Sequence, residues 1–241
     1  MNLILFEPEE AGEEIRLAAG DERERHIREV LRGKPGMRVR VGIVDGAVGE
    51  AEITETGEGG TVLRCRWGAV PERPRLDVLL AMPRPKVLRR LWSVMAMLGA
   101  GRIWICSTRT TERAYAGSHV LEEEVVREEL KNGLCQARDT RLPEVRIGRS
   151  LWEAVEEAAG EAYAARLMAH PGRGETDWRR AAAGGGRVLL AVGPERGWTR
   201  EELAFLDGHG FGRISLGERP LRSDVAVTAL MAVIGAGLQR G

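Results

Sequence analysis

The stretch Leu189-Leu190-Ala191-Val192-Gly193-Pro194-Glu195-Arg196-Gly197-Trp198-Thr199 decides how this chain is read. An apolar run stops at a Gly-Pro-Glu turn, and Thr199 with Glu202 has the spacing of a capping box that opens a helix. Further on, Arg213 to Leu216 reads as a second strand, Gly217 follows, and Leu221-Arg222-Ser223-Asp224 leads into a helix running to Leu238. In an open α/β sheet, ligands sit outside the carboxyl ends of the strands, where such loops meet. Two of these loops close together in the chain predict one site for one small ligand. Gly193, Gly197 and Gly217 let backbone N–H groups approach a ligand. Pro194 stiffens the turn. A ligand read mainly by main-chain hydrogen bonds, such as a purine, suits these loops. An ordinary strand-to-helix connection is the competing reading of Gly-Pro-Glu taken alone.

Outward from this stretch, strands and helices alternate. Leu76 to Met82 is an apolar run suited to a buried strand, and Pro85 starts a helix with Val87, Leu88, Leu91, Trp92, Met95 and Leu98 on one face, stopped at Gly99. Strands follow at Arg102 to Cys106, Ala162 to Ala169 and Arg187 to Val192, with helices at Leu121 to Leu134 and Leu151 to Ala159. This alternation predicts a mostly parallel sheet covered by helices. Val70 to Arg75, with two prolines, reads as a linker. Before it the pattern is mostly β: Met37 to Val44, a turn at Asp45-Gly46, then Ala47 to Thr54 and Thr61 to Trp67. One short helix is expected at His26 to Arg32, and the strands suggest a small barrel. The expected domains are therefore 1–70 and 75–241.

Composition narrows the function. The chain has 241 residues, 43% of them apolar, which is enough to bury a core without staples. Its formal net charge is zero, so no bulk field announces a nucleic-acid partner. Charge nevertheless clusters. Arg25, Arg28 and Arg32 belong to one basic group, interleaved with acids, and Arg84, Lys86 and Arg109 to another that has one acid, Glu112. Such arginines can position an RNA backbone; a solvated helix face is the alternative. Cys65, Cys106 and Cys135 lie far apart without metal-ligand spacing, which fits a reduced cytosolic compartment and no metal site. The acidic segment Met1 to Glu14 does not read as a signal peptide, and no run is long enough for a membrane span. No P-loop motif occurs, and Gly184-Gly185-Gly186 precedes a strand, the wrong order for a dinucleotide fingerprint.

Gly193-Pro194-Glu195-x-Gly197 followed by Leu216-Gly217-x-Arg219-x-Leu221-Arg222-Ser223-Asp224-x-Ala226 resembles the bacterial 16S rRNA (uracil-N3)-methyltransferase family, enzymes of the SPOUT class that use S-adenosylmethionine. His26 with Val30-Leu31-Arg32 and Gly36, Leu98-Gly99, Arg109, Gln136 with Arg141-x-Pro143-Glu144, and Leu167 to Pro171 extend the resemblance over most of the chain. The chain departs from the family pattern at Met97, Cys135, Asp139, Arg196, Trp198 and Ser223-Asp224-Val225. The resemblance implies an α/β fold: a SPOUT-type trefoil-knotted methyltransferase domain with a small N-terminal PUA-like β-barrel that binds RNA. It also implies a homodimer acting on 16S rRNA or the 30S subunit. On this basis His170, Gly193, Pro194, Glu195, Gly197, Leu216, Gly217 and Leu221 are candidates for holding the cofactor. Arg222 is the first candidate for stabilising a deprotonated uridine N3, and Arg109 and Arg141 come next. Arg141 joins Arg25, Arg28, Arg32, Arg84, Lys86 and Arg109 as an RNA-contact candidate. Asp224 reads as a helix N-cap, an acid/base group or a cofactor-facing carboxylate. Glu195 either orients its loop or accepts a cofactor hydroxyl. Two alternatives stay open: a SPOUT enzyme acting on another RNA position, and an inactive RNA-binding or ribosome-assembly factor.

Overall fold

The computed structural model describes residues 2–172 and 185–238; Met1 and Gly184 lie outside them. The chain divides into two compact units, residues 1–73 with 131–142, and residues 74–130 with 143–241.

The first unit is a five-stranded sheet in the order β1-β3-β4-β5-β2. Its strands are β1 (Ile4–Phe6), β2 (Glu14–Leu17), β3 (Arg38–Ile43), β4 (Val48–Gly57) and β5 (Gly60–Trp67). The β1/β3 pair is parallel and the others antiparallel. Alternation decides the inner face: in β3, Val39 and Val41 are buried while Arg38 and Arg40 are exposed. Phe6, Leu17, Ile27, Ile53 and Leu63 meet in one apolar cluster. The hydrogen-bonded order leaves β1 and β2 as edges of an open sheet, where the strand pattern pointed to a barrel.

The expected helix at His26 to Arg32 is instead α1 (Glu22–Arg25), begun by an Asp21 side chain that accepts the Arg23 N–H and continued by a π-helical turn at His26–Val30. Arg32 ends it in the left-handed region at φ 52°. The segment 131–142 groups with this unit rather than with the second, as a single crossing near residue 75 would have it. Lys131 pairs with Glu7 at 2.7 Å, Thr140 Oγ1 donates to the Gly46 carbonyl at 2.7 Å, and Asn2 Nδ2 donates to the Gln136 carbonyl at 3.2 Å.

The second unit is a six-stranded sheet in the order β11-β9-β10-β6-β7-β8. It comprises β6 (Leu76–Ala81), β7 (Ala100–Ser107), β8 (Glu144–Ser150), β9 (Tyr163–Ala169), β10 (Arg187–Val192) and β11 (Phe211–Ile214). Every pairing is parallel. The central strands are buried on both faces, so β6 and β10 read as continuous apolar runs. The helices are α2 (Pro85–Met97), α3 (Glu123–Ala137), whose last residues belong to the first unit, α4 (Leu151–Ala159), α5 (Arg200–Gly208) and α6 (Ser223–Leu238). Helix α2 buries Leu88, Leu91, Trp92 and Met95, and the Trp92 indole donates to the Val120 carbonyl at 3.0 Å. Leu151, Ala154 and Val155 of α4 and Leu206 of α5 pack with Leu79, Trp104 and Leu189.

At the amino end of this sheet, the fully buried Asp77 carboxylate accepts from the Arg187 guanidinium and, at 2.8 Å, from the Tyr163 hydroxyl. Burial, then the neighbouring carboxylate, pushes the Tyr163 phenol up, so it stays a donor. Among the described residues no helix is long and apolar enough to cross a membrane.

Candidate functional site

Three neighbouring parallel strands, β11, β9 and β10, end side by side at Ile214, Ala169 and Val192. A cleft of about 320 Å³ opens beyond these three residues, all of which line it. Its volume falls at the small end of the roughly 300–1,000 Å³ range of small-molecule sites. One wall is the loop after β10, from Gly193 to Trp198, and another the loop after β11, from Ser215 to Leu221. His170 and Pro171 extend β9 into the cleft, and Ala226 and Leu230 of α6 close its floor.

Main-chain bonds hold this mouth in shape. The His170 N–H donates to the Ile214 carbonyl at 3.1 Å, and beyond it the Gly172 N–H donates to the Gly217 carbonyl at 3.3 Å in an isolated bridge that ties the two loops together. The Gly197 N–H donates to the Pro194 carbonyl at 2.8 Å, closing a turn over Glu195 and Arg196. The left-handed residue of that turn is Gly197, at φ 75°; Arg196 does not have positive φ. The backbone therefore requires no glycine at 196, and the departure there is tolerated. Gly217 sits at φ 110°, and nothing lies within 4 Å of where its side chain would begin. That conformation favours glycine and leaves open space on the cleft side.

Carboxylates tie the loops to their neighbours. Glu195 Oε1 accepts the Arg84 N–H at 3.2 Å, just ahead of α2. Glu202 is fully buried in the first turn of α5. Its carboxylate accepts the Thr199 N–H at 2.7 Å and the Arg109 N–H at 2.9 Å. It thus completes the capping box and clamps the loop after β7 to the start of α5.

All eight cofactor candidates, His170, Gly193, Pro194, Glu195, Gly197, Leu216, Gly217 and Leu221, line the cleft. Arg222 and Asp224 do not; they flank Ser223, which does. The Arg222 side chain is 77% exposed and its Nη2 lies 3.1 Å from Asp224 Oδ2, with Arg90 3.7 Å from the same oxygen. Helix α6 begins at Ser223, so Asp224 lies inside its first turn, where it accepts its neighbour's N–H, rather than at the cap.

The RNA-contact candidates fall into both units. In the first, Arg28 pairs with the buried Glu24 at 3.0 Å and Arg25 with Glu22 at 3.9 Å. Arg141 Nη1 donates to the Asp45 carbonyl at 2.9 Å. Asp139, one of the departures, accepts the Thr140 and Arg141 N–H groups and so holds that turn. In the second unit Arg84 and Lys86 open α2, whereas Arg109 pairs with Glu201 at 2.7 Å and lies over the Trp152 ring.

The sequence reading missed the Glu202 clamp, because a capping-box glutamate carries no sign of a partner 93 residues away. It also missed Arg196 and Arg219 as lining residues. Among the described residues no cluster of histidine, cysteine and carboxylate side chains could hold a metal.

A parallel α/β sheet with a glycine-walled cleft at its strand ends defines a small-ligand-binding α/β domain. Residues 71–235 match the family model of the RNA methyltransferase domain. The chain is 31% identical over 241 residues to the ribosomal RNA small subunit methyltransferase E of Treponema pallidum, covering 97% of this chain and 90% of that one. It belongs to the RNA methyltransferase family, alongside the ribosomal RNA small subunit methyltransferase E proteins.

Its fold is that of a ribosomal RNA small subunit methyltransferase E from Neisseria gonorrhoeae solved bound to S-adenosyl methionine (TM-score 0.77, 19% identity, 98% and 97% of the two chains). It also matches a Legionella pneumophila protein solved with the same cofactor (TM-score 0.73, 23% identity, 98% and 97%).

Proposed function

We propose that this protein methylates small-subunit (16S) rRNA at uridine N3, using S-adenosylmethionine. The observation that carries this reading is the convergence of all eight cofactor candidates on one cleft at the ends of β9, β10 and β11. The site fits a nucleoside cofactor: open space beside Gly217, main-chain groups on two loops, and an apolar floor of Ala226 and Leu230. When bound there, S-adenosylmethionine supplies an electrophilic methyl group on a sulfonium.

The chain's own residues do the rest. The Gly193–Trp198 and Ser215–Leu221 loops bind and orient, which sets the in-line geometry that displacement needs. Glu195 orients its loop through the Arg84 N–H. Uracil N3–H is a weak acid, and a guanidinium beside it favours its anion. Arg222 serves that role from the edge of the cleft, and Asp224 holds its guanidinium. Methyl transfer from a sulfonium requires no metal. Arg25, Arg28, Arg32, Arg84, Lys86, Arg109 and Arg141 contact RNA phosphates; of these, Arg25, Arg28, Arg109 and Arg141 also have partners within the protein.

On this reading the second unit is a SPOUT-type trefoil-knotted domain, supported by the insertion of β10 between β9 and β6, both earlier in the chain. The first is a PUA-like RNA-binding unit built on its open five-stranded sheet. The protein acts as a homodimer, for which the exposed apolar residues Leu216, Leu221, Val225 and Val233 on and before α6 speak. Three unpaired buried cysteines support a cytosolic site of action on the 30S subunit or its rRNA.

The deciding test compares 16S rRNA nucleosides from cells with and without the gene. Loss of 3-methyluridine is expected, and an unchanged nucleoside profile would overturn the reading. Arg222→Ala is expected to lower turnover on 30S subunits or 16S rRNA fragments about a hundredfold, with cofactor affinity nearly unchanged. Equal losses in steady-state kinetics and in calorimetric affinity would make Arg222 a support of the cleft instead.

A further inference from the structure

Trp198 lines the cleft, and its indole lies directly against Gly193. A Cβ placed on Gly193 would meet Trp198 Cε2 at 2.9 Å, and Cδ2 and Nε1 at 3.1 Å. The ring cannot easily withdraw. Its Nε1–H donates to the Ala169 carbonyl, the last of β9, at 3.2 Å. Its body packs on the buried cluster that contains Met168, Ala191 and Leu206. The indole therefore joins the end of β9 to the turn after β10, and takes the volume that any side chain at 193 would need. Gly193 does not have positive φ, so nothing in its own conformation excludes alanine.

We propose that Trp198 is a positioning residue of the cleft, and that in this chain its ring by itself bars any side chain at 193. The affinity part of this proposal rests on the reading of the cleft as an S-adenosylmethionine site; the packing part does not.

The two parts are separated by a double-mutant cycle on the full chain with Gly193→Ala and Trp198→Leu. Melting temperature without ligand and calorimetric affinity for S-adenosylmethionine are the readouts. Gly193→Ala alone is expected to lower the melting temperature by several degrees and to weaken cofactor binding at least about tenfold. In the Trp198→Leu background the same change is expected to be neutral or slightly stabilising, because alanine restricts the unfolded chain, and to alter affinity less than about twofold.

A Gly193→Ala penalty of the same size in both backgrounds would overturn the proposal and assign the glycine to the ligand. Trp198→Phe, with a smaller ring and no N–H, is expected to give an intermediate penalty; it decides the question if the leucine variant does not fold, an undiminished penalty again counting against the proposal. Failure of the wild-type protein to bind S-adenosylmethionine would sink the proposed function, while the melting arm would still decide the packing.

Discussion

Glu202→Ala is expected to lower the stability of the second unit by about 2–4 kcal/mol, because two backbone N–H groups lose a charged acceptor. The carboxylate is fully buried and serves Thr199 and Arg109 at once. Among the described residues no other acceptor is bonded to either N–H, so truncation leaves both without a partner in the protein. The effect reaches the site, since Thr199 directly follows the Gly193–Trp198 wall. Cofactor affinity is therefore expected to fall about tenfold or more, the equivalent of at least about 1.4 kcal/mol. Glu202→Gln keeps one acceptor oxygen but turns a donor toward the other N–H, and should recover only part of both losses. Thermal melting and calorimetry measure them. A Glu202→Ala protein that melts and binds like the parent would show that the loop after β7 is not clamped through this carboxylate.

Asp77→Ala is expected to cost about 3 kcal/mol, seen as a drop of roughly 6–12 °C in the melting of the second unit. Removing one partner of a buried pair leaves the other charge without compensation. Asp77 is fully buried while the Arg187 side chain keeps 25% of its exposure, so the stranded guanidinium reaches some water and the figure stays at the lower end for such pairs. The Tyr163 hydroxyl loses its acceptor as well. The cleft lies at the other end of the same strands, so affinity per folded molecule should barely change. A variant that melts within one or two degrees of the parent, about the size of a weak surface contact, would mean that the pair contributes little beyond its own desolvation.

Much of the second unit was legible in the sequence because its elements announce themselves at both ends. The β10 run stops at Gly193-Pro194, and Thr199 caps α5 with a side-chain bond to the Glu202 N–H at 3.2 Å. Strand β11 runs from Phe211 to Ile214, two residues before the expected Arg213 to Leu216, because Leu216 is an exposed loop residue that only looks like a strand residue. Strand β8 was missed: its alternation of Val145 and Ile147 with charged Glu144 and Arg146 marks a half-exposed edge, and it carries no strong turn signal. Strands β1 and β2 are three and four residues long, too short for a period-two pattern to stand out in an acidic segment.

At the site, loop glycines carried the reading, since their role is local. What stayed hidden depends on residues far apart in sequence. Trp198 reaches back to Ala169, 29 positions earlier, and Glu202 to Arg109. Arg222 and Asp224 were placed near the site by motif, yet they stand at its rim, which spacing along a loop does not reveal.

The bonds that fix the mouth of the cleft run between peptide groups: His170 to Ile214, Gly172 to Gly217, and Gly197 to Pro194. A recess drawn in main chain is indifferent to the side chains decorating its outer surface. Random exchange of those exposed residues can retune what approaches from solution, RNA included, while the recess itself survives. Such a molecule can change its clientele over evolutionary time without rebuilding the seat of its donor.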